Sequence, residues 1–185
     1  MATGYAKNLA IRDATESDVD ACIQIDVSYE TDYVWQMDAR DEAGAISIGF
    51  RTVRLPRLMR VVYPRDPDWL AQAIGRREVF LVAETSGVVR GYLRMRFDAG
   101  PRNAWVTDLA VGRLWRRQRI GSALLDEAYN RARHQRMQWL TVETQTKNYP
   151  AICFLQKHGL SFCGFNDRYY PNHDIALFFG QNVRV

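Results

Sequence analysis

The stretch Val106-Thr-Asp-Leu-Ala-Val-Gly-Arg-Leu-Trp-Arg-Arg-Gln-Arg-Ile-Gly-Ser-Ala-Leu-Leu125 decides how this chain reads. It is a strand, a tight basic turn, and a helix that opens on small residues. The strand spans Ala104 to Val111. The helix runs from about Arg119 to Gln135, because Ile120, Leu124 and Ala128, with Leu125 and Ala132 beside them, keep the three-to-four spacing of one buried stripe. A helix N-terminus exposes unpaired backbone N–H groups and carries partial positive charge, so an anion docked there is stabilised without any side chain. Gly121, Ser122 and Ala123 let such an anion approach the backbone, and Arg113, Arg116, Arg117 and Arg119 surround the turn. On spacing alone, a solvated basic loop ahead of an ordinary helix fits equally well.

Working outward, Trp139 to Thr144 reads as a buried strand. Asn148 to His158 is a short helix with Pro150 in its first turn and Gly159 at its stop. Ser161 to Phe165 and Ile175 to Phe179 are closing strands. Upstream, Glu78 to Glu84 and Val88 to Phe97 are strands joined by the hairpin signal Thr85-Ser-Gly87. Asn8 to Arg12 is a first strand, and Thr15 to Asp18 is a capping box opening a helix through about Asp26. Val27 to Arg40 is aromatic and acidic, its later part a candidate strand. Ala45 to Val53 alternates as another, and Asp66 to Ile74 is a short helix candidate. Hairpin strands, then a strand-helix-strand-helix unit, then closing strands make a mixed α/β domain around one sheet.

The chain has 185 residues, 47% hydrophobic and 25% charged, which suits one domain over 1–185 and excludes a disordered chain. It carries no apolar run of membrane-spanning length, so no membrane role is expected. The net charge of +4 fits an anionic small ligand as well as nucleic acid. No nucleic-acid module pattern accompanies the aromatic residues, so core packing is the better reading and no nucleic-acid partner is expected. Cys22, Cys153 and Cys163 are odd in number and widely spaced, and the histidines lack metal-ligand spacing. The expectation is no disulfide framework, no metal and a cytoplasmic setting.

Arg116-Arg-Gln-Arg-Ile-Gly-Ser-Ala-Leu-Leu125 resembles the acetyl-CoA pyrophosphate loop of the GNAT superfamily of N-acetyltransferases, Gln/Arg-x-x-Gly-x-Gly/Ala. Arg116 matches its first position and Gly121 its last. Arg119 replaces the middle glycine, where it either crowds the loop or sets a cation on the phosphates. Asn148-x-x-Ala151, a helix, and Lys157-His-Gly159 resemble the family's second cofactor wall. Glu143-Thr-Gln-Thr-Lys-Asn148, Cys163-Gly164 and Asp26 to Val34 resemble the streptothricin acetyltransferase branch in particular.

The resemblance implies a mostly antiparallel sheet with flanking helices and a splayed central strand pair. It implies that Leu109, Ala110 and Val111 hold the pantetheine arm of acetyl-CoA through main-chain groups. Arg116, Arg117, Gln118, Arg119, Ile120, Gly121, Ser122 and Ala123 would take its pyrophosphate, with Asn148, Ala151 and Phe154 beside it. Asn148 as a plain helix cap is the competing reading. The acidic, aromatic stretch including Tyr29, Asp32 and Trp35 would meet a cationic acceptor.

Acetyl transfer to an amine needs a neutral nitrogen, a polarised thioester with a held oxyanion, and a proton for the leaving thiolate. Glu143 is the first candidate base and Asp108 the second, each equally readable as an arginine partner. The family's usual tyrosine acid is Leu155 here, which leaves Tyr170, its neighbour Tyr169, or Tyr149; a surface aromatic pair at the substrate mouth is the other reading of Tyr169-Tyr170. The function implied is acetyl transfer from acetyl-CoA to a primary amine of a small molecule by direct attack through a tetrahedral intermediate. Acetylation of a peptide or protein amine, and a non-catalytic acyl-CoA sensor, are the alternatives. The resemblance also admits a homodimer.

Overall fold

The computed structural model describes residues 8–62, 70, 72 and 78–183. The described strands are β1 (Leu9–Asp13), β2 (Tyr29–Glu42), β3 (Ala45–Val61), β4 (Val79–Thr85), β5 (Val88–Asp98), β6 (Asn103–Val111), β7 (Trp139–Gln145), β8 (Ser161–Asn166) and β9 (Ala176–Asn182). The helices are α1 (Val19–Gln24), α2 (Ile120–His134) and α3 (Tyr149–Lys157), with single 3-10 turns at Glu16–Asp18 and Arg113–Trp115. The helix expected over Asp66 to Ile74 lies outside the described residues except for Leu70 and Gln72, both helical.

Seven strands form one sheet in the order β1-β4-β5-β6-β7-β9-β8, while β2 and β3 form a separate ribbon. Every neighbouring pair is antiparallel except β6 and β7. The β4–β5 hairpin turns through Ser86 and Gly87, both left-handed, as a two-residue connection of twisted strands requires. Strand alternation sorts the sheet's two faces. Leu81, Leu93, Val106, Leu140 and Phe179 point to the face covered by α2 and α3, and meet the expected stripe of Ile120, Leu124, Leu125, Ala128 and Ala132. On the far face, Phe80, Val82 and Tyr92 are covered by Cys22 of α1 and by Leu70. The predicted capping box forms: the Thr15 N–H donates to Asp18 Oδ2 at 2.8 Å, and Arg12 clamps the same carboxylate. The helix it opens ends at Gln24, shorter than the pattern implied.

The sheet opens at its centre. β6 and β7 pair only from Asn103 opposite Trp139 to Val106 opposite Val142. Beyond that point β6 stays with β5 as far as Val111, and β7 stays with β9 as far as Gln145. Thr107 marks the parting. It is the extra residue of a bulge, since Arg94 pairs with Asp108 and Met95 with Val106. A bulge bends its strand and re-aims the residues beyond it. Here it returns Leu109 and Val111 to the helix side with Val106, and sends Asp108 to the far face with Trp105.

The β2–β3 ribbon is longer than its sequence pattern implied. Its register shifts between Thr31 and Tyr33, where Met59 and Arg54 are the opposing residues. Pro56 falls inside that irregularity, where a missing N–H costs no ladder bond. The ribbon is anchored by Trp35, whose ring packs against Phe50, Phe162 and Phe179, and whose N–H donates to the Thr146 carbonyl at 2.9 Å.

Candidate functional site

The turn from β6 to α2 is tethered to the segments beside it through its backbone N–H groups. The Gly112 N–H donates to Arg90 O at 2.8 Å and the Arg113 N–H to Asp26 O at 3.0 Å. Arg116 folds back, its Nε donating to Val111 O at 3.0 Å, and burial lowers the pKa of its guanidinium. Arg117 and Arg119 are left-handed, with φ of 64° and 65°. A side chain in that region costs about 1–2 kcal/mol. Arg119, at the place of the middle glycine, thus adopts the conformation a glycine would take freely. Left-handed residues alternating with others turn successive N–H groups toward one side, which makes an anion-binding concavity. Arg117 and Arg119 both keep their side chains exposed, so the turn stays accessible from solvent.

Arg119 is the N-cap of α2, its carbonyl accepting from the Ala123 N–H at 3.0 Å. The N–H groups of Ile120, Gly121 and Ser122 therefore open the helix with no carbonyl inside it to meet. Gly121 packs beside the Phe154 ring, where even a Cβ would lie at an ordinary contact distance of 3.5 Å. Phe154 stacks on His158 at 4.2 Å between centroids, and His158 joins the two helices. Its Nδ1 is 2.8 Å from Phe154 O, a carbonyl that only accepts, so Nδ1 carries a proton. Its Nε2 is 2.9 Å from the Ser122 hydroxyl.

Across the opening, Asn148 caps α3, its Oδ1 accepting from the Ala151 N–H at 3.2 Å. The cap reading of Asn148 thus holds, and its amide nitrogen has no partner among the described residues. The β6 backbone from Leu109 to Val111 pairs with β5 alone. Its other edge faces the gap, where Arg116 takes Val111 O. These are the features a pantetheine diphosphate needs: an unpaired strand edge for its amides and converging N–H groups for its phosphates.

The far face carries the titratable groups. Glu143 stands on β7 with Trp139 and Thr141, as alternation requires. Its Oε2 accepts from Trp105 Nε1 at 2.7 Å and from the Tyr169 hydroxyl at 2.5 Å. Its Oε1 has no partner among the described residues. Burial pushes the carboxyl up to about 6, against these two donors and Arg96 nearby, with the Asp108 charge adding to the rise. Burial and Glu143 together hold the Tyr169 phenol well above its ordinary value. No arginine among the described residues forms an ion pair with Glu143. Asp108 is different: Arg94 holds its carboxylate at 3.2 Å and also holds Glu78 at 3.0 Å. The structure thus gives Asp108 the arginine-partner role, while Glu143 keeps an open oxygen. Tyr170 stands edge-on to Tyr169 and does not itself bond Glu143. Leu155 is a buried residue of α3, so no acid acts from that position.

The other expected acceptor contacts divide. Tyr29 is buried, its hydroxyl 3.5 Å from Gln145 Oε1 and its pKa raised by burial and Asp174. Gln145 in turn donates to Asp174 at 2.9 Å, and Lys147 pairs with the same carboxylate. Asp32 sits in the β2 irregularity, half-exposed. Trp35 is a packing residue of the ribbon, on the helix side of the sheet and away from Glu143. Trp105 is the functional neighbour that sequence reasoning missed. Its partnership with Glu143 depends on the parallel register of β6 and β7, which no local pattern encodes. Among the described residues, no group of histidine, cysteine and carboxylate side chains could hold a metal ion, and no helix is long and apolar enough to cross a membrane.

A sheet parted between two parallel strands, a turn offering amide hydrogens to a diphosphate, and a carboxylate on the far face define an acyl-coenzyme A transferase. Residues 50–160, about three-fifths of the chain, match the acetyltransferase (GNAT) family. The chain belongs to that family: it is an acetyl-CoA-dependent N-acetyltransferase, with acetyl-CoA as its co-substrate. It is similar to the streptothricin acetyltransferase of Streptomyces lavendulae, 24% identical over 175 residues that span 92% of this chain and 90% of that one. Nourseothricin acetyltransferase has the same fold, with a TM-score of 0.83, 24% identity and coverage of 95% and 98% of the two chains. So does the protein assigned as a streptothricin acetyltransferase in Bacillus anthracis str. Ames, solved in complex with acetyl coenzyme A, with a TM-score of 0.74, 20% identity and coverage of 96% and 98%.

Proposed function

We propose that this enzyme acetylates a primary amine of a small molecule, with a streptothricin-type antibiotic as its acceptor and Glu143 as its base. The observation that carries the base assignment is the Glu143 carboxylate itself: one oxygen is fixed by Trp105 and Tyr169, and the other is open on the far face beside the parted strands. A carboxyl titrating at about 6 is ionised at neutral pH, yet basic enough to take a proton.

Acetyl-CoA, when bound, supplies an activated acetyl group as a thioester. The turn from Arg116 to Ser122 and the amide of Asn148 fit its diphosphate and pantetheine; the free β6 edge at Leu109 and Val111 would position the arm and offer N–H groups to the carbonyl oxygen. Glu143 Oε1 receives the proton that the amine nitrogen sheds as it bonds to carbon, directly or through one water. Trp105 and Tyr169 keep that carboxylate turned toward the acceptor. Tyr169, which stays protonated at neutral pH because Glu143 and burial oppose its ionisation, is the phenol bonded to the base and replaces the acid missing at Leu155.

The acceptor class draws on the similarity to the Streptomyces lavendulae enzyme over nine-tenths of both chains. A thiol-release assay with acetyl-CoA and nourseothricin tests it, with mass spectrometry of the product. Thiol release coupled to one added acetyl group supports the reading; thiol release only with a peptide amine assigns a different acceptor; cofactor binding with no release on any amine makes the protein a sensor.

A further inference from the structure

The far face does not end at Glu143. Two and four residues back along β7 stand Thr141 and Trp139, on the same side of the sheet. With Asn103, Pro101, Ser161 and Cys163 they enclose a groove of about 370 Å³, floored by Gly180. That volume lies in the range of small-molecule sites. A strand rises about 3.3 Å per residue, so Trp139 lies about 13 Å from Glu143 along β7.

The groove has an aromatic wall. Trp139 is 47% exposed at its wall, although a large aromatic is stabilised by being covered. The floor is bare because β9 has no side chain at Gly180, where a Cβ would come within 3.2 Å of Cys163 Sγ. Polar groups converge at one end. Thr141 donates its hydroxyl to Asn103 Oδ1 at 3.0 Å, which leaves the Asn103 amide hydrogens and the Thr141 lone pairs for whatever enters. The groove is lined by uncharged side chains, and no carboxylate lies among them to hold an ammonium.

We infer that this groove is an acceptor subsite: it seats the neutral, ring-bearing body of an extended amine, a sugar or a planar heterocycle stacked on Trp139, while the amine reaches Glu143 about four residues up the strand. The inference rests on the acetylation of a small-molecule amine at Glu143 and adds the part of the acceptor that selects it. Trp139 is a specificity residue here, since it touches the acceptor far from the reacting atoms.

The experiment compares wild type and Trp139→Ala on two acceptors, nourseothricin and the short diamine putrescine, and measures alkylation of Cys163 by N-ethylmaleimide in a Cys153→Ser background. Cys22 is buried, so Cys163 is the exposed thiol left to label. Because it removes the ring on which the acceptor stacks, Trp139→Ala raises KM for nourseothricin about tenfold. It leaves kcat, KM for acetyl-CoA and kcat/KM for putrescine unchanged. Saturating nourseothricin slows the labelling of Cys163; putrescine does not. An equal effect of Trp139→Ala on both amines, or labelling of Cys163 unaffected by nourseothricin, overturns the subsite. Turnover of nourseothricin without protection of Cys163 removes the groove and keeps the acetylation reading; protection without turnover keeps the groove and removes that acceptor.

Discussion

The hydroxyl of Tyr169 donates to Oε2 of Glu143 at 2.5 Å, on the far face of a sheet whose central strands separate immediately after Val142. This bond holds a carboxylate at the opening that no arginine among the described residues neutralises. It also favours the ionised form, against the burial that raises the carboxyl's pKa.

Tyr169→Phe removes a donor that favours the ionised form of Glu143. The carboxyl pKa then rises above its value of about 6. Hydrogen bonds to charged groups are worth about 1.5–3 kcal/mol, so the acid limb of the kcat/KM profile moves up by about one to two pH units. Loss of the phenol as acid lowers activity at every pH, and the raised carboxyl pKa deepens that loss at pH 7 relative to pH 9. A pH–rate profile of the variant checks this; an unmoved acid limb would separate the phenol from the base.

Glu143→Gln makes the fold more stable as it disables the site. The raised pKa means that the folded state binds this proton more tightly than the unfolded chain. Folding therefore opposes ionisation, fully above pH 6 and not at all below the ordinary glutamate value near 4.5. A neutral amide keeps an acceptor for Trp105 and Tyr169 and carries no charge to bury. Urea unfolding at pH 8 is expected to show a gain of about 2 kcal/mol, shrinking toward zero at pH 4.

Local spacing made the legible features legible. The stripe of α2, the caps at Thr15 and Asn148, and the side on which Glu143 stands all depend on intervals of a few residues. Trp35 reads from sequence as an acceptor contact because it sits among acids; its partners Phe50, Phe162 and Phe179 are distant in the chain and claim it for packing. Asp108 is assigned to Arg94 only once the bulge at Thr107 has set its face. The choice between Tyr169 and Tyr170 lies in an irregular segment, where alternation carries no information.

Asp18 ties the first strand to α1 and to β4 through Arg12, which also reaches Glu84 at 2.9 Å. The Arg12 bond holds the Asp18 carboxyl far below the usual carboxylate range. Its contribution is therefore complete above the unfolded value near 3.8 and is lost as pH falls through the lower folded value. Asp18→Ala removes a helix cap and leaves Arg12 with Glu84 alone, at a cost of about 2 kcal/mol at pH 7. Thermal unfolding should show that difference narrowing below pH 3.

Arg117 is left-handed at φ 64°. Arg117→Gly relieves that conformation and stabilises the fold by up to about 1 kcal/mol. It also removes a cation from the turn, so acetyl-CoA binds more weakly in low salt and nearly as well in high salt. Thermal unfolding checks the first sign, and calorimetric titration at two ionic strengths checks the second.

The central claim is that Glu143 takes the amine's proton where the sheet opens. The most direct measurement is the pair of thiol-release turnover with nourseothricin and calorimetric acetyl-CoA binding, for wild type and Glu143→Gln. Turnover is predicted to fall by about a hundredfold or more while acetyl-CoA affinity stays the same. Equal turnover in the two proteins, or a wild type that binds no acetyl-CoA, would contradict the account.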